Sequence, residues 1–164
     1  MFSNLYVRGI SIKQIEEDSY YKYLPAIKYI MDMDELQFNS NVTFWVGENG
    51  IGKSLHNQSH GESFLSVVEN RFGGNGIYIL DEPEAALSPA RLLRLMCNIK
   101  QLVDNDSQFI IATHSPILMA FPGAEVLELS DEGIKSISYK DTEHYIITKR
   151  FLDAPERMLG ELFE

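Results

Sequence analysis

From Val42 onward the chain repeats one pattern: a short unbroken apolar run, a polar or glycine-bearing break, then apolar residues recurring at intervals of three and four. The runs VTFWV (42–46), IYIL (77–80) and FIIA (109–112) have the β-branched and aromatic content of buried strands. Residues 63–72 put Phe64, Val67, Val68 and Phe72 on one helical face, and GGNG at 73–76 ends that helix. Ser88-Pro89 starts a longer helix, with Leu92, Leu95, Met96, Ile99 and Leu102 as its apolar stripe. The same reading gives a short helix near 116–121 and strands at 125–129 and 134–138. Two short helices follow between Asp141 and Phe163, broken at Ala154-Pro155. Ahead of this pattern, 2–10 and 27–30 read as strands joined by the acidic, tyrosine-rich IEEDSYYKYLP. Apolar strands separated by amphipathic helices predict an α/β fold with a mostly parallel central sheet covered by helices on both faces. An antiparallel β part is expected at the amino-terminal end.

Composition narrows the class. The 164 residues, 45% apolar and 23% charged, are one domain's worth of globular sequence, able to bury a core without disulfides or metal. Fourteen basic side chains against 24 acidic ones give −10, which argues against a surface that holds nucleic acid through its phosphates, although a local basic groove stays open. Cys97 is the only cysteine, which excludes an internal disulfide and favours a reducing compartment. Within LLRLMCNIK it reads as a small core residue. The start, MFSNLYVRGI, has no basic region leading into an apolar run, and no stretch approaches the roughly 20 apolar residues that span a bilayer. The expectation is a cytoplasmic protein.

Three short stretches carry chemistry. Gly47, Glu48, Asn49, Gly50, Ile51, Gly52, Lys53 and Ser54 match G-x-x-x-x-G-K-[ST] directly after an apolar strand, the context this phosphate-binding loop requires. Its backbone N–H groups would surround a phosphate chain, Lys53 would reach the β and γ phosphates, and the Ser54 hydroxyl would bind Mg²⁺. The alternative is a glycine-rich turn matching by chance. At the end of IYIL stand Asp81 and Glu82, a metal-binding carboxylate and a candidate general base, unless they are simply solvated acids at a strand end. A third run, IIATHS (110–115), carries His114 to the same edge of the sheet, where it could face a γ-phosphate. A fourth motif, Ser59-His60-Gly61-Glu62-Ser63, reads on its own as a helix start, with Ser59 and Glu62 spaced as a capping box.

Taken together these elements resemble the ABC-type ATPase superfamily, and within it the stand-alone bacterial AAA-labelled ATPases related to RecF, Rad50 and SMC heads. The resemblance covers about residues 36–130. It implies one domain over 1–164: an amino-terminal β part to 46, the P-loop at 47–54, a signature-like motif at 59–63, a core from 77 to 130 and carboxy-terminal helices over 141–164. Asp81 to Ser88 looks like a Walker B motif and D-loop, with Ser88 where many transporters carry aspartate. His114 looks like the switch histidine. Ser59 and Gly61 look like signature residues, with His60 and Glu62 departing from the transporter form.

What the resemblance implies is ATP and Mg²⁺ bound in a homodimer, the P-loop of one copy holding phosphates that Ser59 and Gly61 of the other copy cap. ATP hydrolysis is the expected activity, with an effector protein or DNA as the object of the switch. The alternatives are a module whose ATP only assembles a dimer, and a small P-loop kinase. The family also places a helix, a Q-loop glutamine and a helical lobe between P-loop and signature, whereas here LHNQ alone separates Ser54 from Ser59. The intervening segment could be deleted or absent between Ser54 and Leu55, the chain could be a minimal form, or residues 53–72 could form one kinase-like strand-helix-strand unit. Tyr20, Tyr21 and Tyr23 are candidates for adenine stacking.

Overall fold

The computed structural model describes residues 5–14, 25–47 and 61–164. Their elements are strands β1 (Gly9–Ile10), β2 (Leu36–Gln37), β3 (Val42–Gly47), β4 (Ile77–Asp81), β5 (Gln108–Ala112), β6 (Glu125–Ser130) and β7 (Gly133–Ile137). The helices are α1 (Pro25–Asp32), α2 (Gly61–Arg71), α3 (Pro89–Asp104), α4 (Pro116–Met119), α5 (Glu143–Asp153) and α6 (Pro155–Phe163). The main sheet has the order β4-β5-β3-β6-β7. Its first four strands are parallel and β7 returns antiparallel to β6. A separate antiparallel pair joins β1 with β2; of the expected strand over 2–10 only Gly9–Ile10 is a strand among the described residues, and β2 lies outside both expected amino-terminal strands.

One face of the sheet is packed by α2, α3 and α4. Phe44 and Phe109 meet Leu95, Ile99, Ile111 and Leu118 there, all with no exposed surface. The α3 stripe at 92, 95, 99 and 102 is buried as its spacing predicts, and each such aliphatic side chain contributes about 1.5–3 kcal/mol. Cys97 lies two residues past Leu95, about 200° around the helix, so it is exposed rather than a core residue. On α2 the buried positions are Leu65 and Val68, with Phe64 partly buried and Val67 facing out; Phe72, just past the helix end, is also partly buried.

The second face is less complete. Ile30, Leu36, Phe38, Leu127 and Ile134 form a smaller cluster under α1 and the β1–β2 pair, at the β6–β7 side of the sheet. The 27–30 stretch is therefore helical, not a strand: Pro25 opens α1 with a φ already suited to a helix, and Ile30 is buried one turn after Ile27. At the opposite side, β4 is an edge strand, with Ile79 75% exposed and Ile77 partly so. Among the described residues the sheet is thus not covered throughout on both faces, and IYIL is not a fully buried strand.

No helix among the described residues is long and apolar enough to cross a membrane.

Candidate functional site

Three parallel strands end side by side. Ala112 of β5 lies level with Trp45 of β3 on one side and Asp81 of β4 on the other. Two residues past Trp45, β3 ends at Gly47, the first glycine of the phosphate-loop motif. The strand bearing His114 therefore lies between the glycine-loop strand and the strand of paired acids. The carboxyl edge of a parallel sheet, where strand ends and loop openings converge, is the usual place for a ligand.

Glu82 leaves β4 in a strained conformation. Its N–H still donates to the Ala112 carbonyl at 2.9 Å, extending the ladder by one residue. Its backbone is left-handed, with φ 41° and ψ 53°. A side chain at positive φ is disfavoured, and α conformations are disfavoured again before proline, which follows here as Pro83. Such a residue costs about 1–3 kcal/mol and persists only where its surroundings impose it. Pro83 is buried and starts the short 3₁₀ turn Pro83–Ala86 that carries the chain away from the sheet.

That turn brings Glu84 under the end of β5. One Glu84 oxygen, Oε1, accepts from the Thr113 hydroxyl at 2.7 Å and from the His114 N–H at 2.6 Å. The Thr113 hydroxyl also accepts from the Ser115 N–H at 3.0 Å, and the Thr113 N–H donates to the Trp45 carbonyl at 3.1 Å. The backbone of His114 is thereby fixed from both neighbouring strands. Glu84 Oε2 is buried without a hydrogen-bond partner, so this carboxylate is held in place at a desolvation cost.

The His114 ring faces Glu82. Its Nε2 lies 3.4 Å from Glu82 Oε1, and both side chains keep about a third of their surface exposed, 32% and 36%. On the other side, His114 Nδ1 is 3.0 Å from Nε2 of His144, with the rings edge to face at 4.8 Å. Of the chain's four histidines, His114 and His144 are the two in the described residues, and they touch. Sequence reading missed His144 because its partner is 30 residues away. The one local signal was the helix start at Thr142, whose hydroxyl accepts from the Tyr145 N–H at 3.3 Å.

Of the residues singled out from sequence, Gly47, Asp81, Glu82 and His114 are brought to one edge, with Asp81 exposed at the end of β4. Gly61 is the first residue of α2. Glu48, Asn49, Gly50, Ile51, Gly52, Lys53, Ser54 and Ser59 lie outside the described residues, as do Tyr20, Tyr21 and Tyr23. Ser88 takes the cap position of α3 by its backbone, but its side chain makes no capping hydrogen bond. No group of three or more His, Cys, Asp or Glu side chains among the described residues is arranged to hold a metal ion. Mg²⁺ is commonly bound by one or two carboxylates together with substrate phosphates rather than by a protein cage, and the exposed Asp81 carboxylate suits that role.

Residues 63–120 match a family model described as "AAA domain, putative AbiEii toxin, Type IV TA system". The matched stretch runs from α2 through α4 and includes both acids and His114. No curated protein matches the chain. Over this stretch the chain is similar to AAA-labelled, P-loop ATPase domains, and a nucleotide-binding, ATPase-like function is what that similarity and the mostly parallel sheet support.

Proposed function

We propose that this chain binds ATP with Mg²⁺ at the carboxyl edge of its sheet and hydrolyses it, as an ABC-type ATPase that dimerises around nucleotide. The observation that carries the reading is the Glu82–His114 pair, a carboxylate about one-third exposed on a left-handed backbone, facing a histidine just past the end of the adjacent parallel strand. Glu82 is the general base. It takes a proton from water as the water oxygen bonds to the γ-phosphorus and the bond from that phosphorus to the ADP oxygen breaks. His114 holds the Glu82 carboxylate through the N–H of its Nε2 and so keeps the base oriented toward the attacking water. The 3.4 Å separation is of the kind that tightens when substrate is bound. Asp81 and the Ser54 hydroxyl would hold Mg²⁺, which would supply charge neutralisation for the bound phosphates.

Gly47 to Ser54 would cradle the phosphates of one copy, and Ser59 and Gly61 would cap the γ-phosphate held by the second copy. Support for this part is the motif match and its position after β3.

Phosphate release from ATP by the intact chain, measured beside Lys53→Ala, tests the proposal. The wild-type chain is expected to turn over ATP, and Lys53→Ala to bind nucleotide at least tenfold more weakly. Absence of phosphate release from the wild-type chain overturns hydrolysis, and unchanged nucleotide affinity in the variant overturns the P-loop.

A further inference from the structure

His144 stands at the second position of α5, far from the acids and strands in sequence, yet it closes a three-member line with His114 and Glu82. Its position is built rather than incidental. Thr142, 1% exposed, donates its hydroxyl to the Tyr139 carbonyl at 2.7 Å while capping the helix at Tyr145. Tyr145 in turn packs edge to face on Tyr139 at 5.3 Å. The opening turn of α5 is therefore anchored at Thr142, two residues before His144, and at Tyr145, one residue after it.

The chemistry of the line fixes which nitrogens carry protons. A neutral imidazole has one N–H and one lone pair. On His114, Nε2 faces a carboxylate oxygen, so a lone pair there would meet the lone pairs of Glu82, whereas an N–H is attracted. With the proton on Nε2, His114 Nδ1 is an acceptor, and the 3.0 Å contact is satisfied only if His144 donates from its own Nε2. We infer that His144 is a positioning residue: its Nε2–H fixes His114 as the Nε2–H tautomer directed at Glu82, and so ties α5 to the catalytic edge. The inference rests on the proposed hydrolytic reading only for its effect on turnover. A second ring nitrogen held by an outer partner is the usual way a working histidine is oriented.

The test is nitrogen-15 NMR of the imidazoles of the intact chain near neutral pH, with ATP turnover measured on the same samples. In the wild-type chain His114 is expected to show a protonated Nε2 and a bare Nδ1. His144→Phe keeps a ring in the space and removes the donor, so His114 should become a mixture of tautomers and kcat should fall about tenfold with KM for ATP unchanged. His144→Gln, whose amide can donate in the same direction, should restore the single tautomer and most of kcat. A wild-type His114 protonated on Nδ1, or a tautomer unmoved by His144→Phe, overturns the inference. The expected tautomers in a chain that releases no phosphate would support the positioning role and remove the hydrolytic reading instead.

Discussion

The two ends of the parallel sheet treat their polar groups in opposite ways. At the amino end, where β3, β4, β5 and β6 begin, polar side chains mostly pair with neighbouring chain segments, the buried Thr43 hydroxyl being an exception. Gln108, fully buried, accepts from the Val7 N–H and donates to the Val7 carbonyl, both at 2.9 Å. The Asn39 backbone and side chain both donate to the Glu125 carboxylate, and the Ser107 hydroxyl bridges Gly73 and Gly76. At the carboxyl end, Glu82 is strained and about one-third exposed, Glu84 keeps a buried oxygen unpaired, and two histidines stand in line behind the acid. Left-handed backbone at the amino end falls on Asn75 and Asp106, residue types that tolerate it, whereas at the carboxyl end it falls on a glutamate before proline, beside a carboxylate with an unpaired buried oxygen, the condition of groups kept for a ligand.

That contrast can be broken at either end. The largest effect on stability belongs to Gln108→Leu, which strands both backbone groups of Val7 and should cost about 2 kcal/mol in urea unfolding, with nucleotide affinity unchanged. A loss under about 0.5 kcal/mol would show that the amino end is not the structural one. A smaller change of opposite sign is expected for Glu82→Gly. Glycine accepts the left-handed backbone freely, so stability should hold or rise by up to about 1 kcal/mol despite glycine's looser unfolded chain. A fall of more than about 1 kcal/mol would mean that the Glu82 carboxylate helps hold the fold.

The fold was legible where periodicity is unambiguous. The α3 stripe, the strands β3, β5, β6 and β7 and the break at Ala154-Pro155 all follow from spacing, composition or proline, whereas the antiparallel return of β7 onto β6 does not. It misled where a short apolar run has two meanings. IKYI at 27–30 has strand content but sits behind Pro25, and burying Ile30 on a helix proved the better use of it. IYIL reads as buried whether its strand is central or at an edge, because composition carries no information about neighbours; only the pairing of β4 with β5 alone shows the difference. Cys97 was misplaced because an apolar neighbourhood in sequence is not a face in space.

Of the candidate site, Asp81, Glu82 and His114 were legible because each ends an apolar run, and strand ends in a parallel sheet meet. The positive φ of Glu82, the brace from Glu84 to Thr113 and His114, and the contact with His144 were not. These depend on how a turn and a later helix fold back onto β5, which no local pattern encodes.

The central claim, that this edge activates water for attack on ATP, is tested most directly by phosphate release from Glu82→Gln compared with the wild-type chain at saturating ATP and Mg²⁺. The glutamine keeps the shape of the side chain and removes its basicity, so nucleotide should still bind while release falls at least about 100-fold. Release at the wild-type rate would contradict the account.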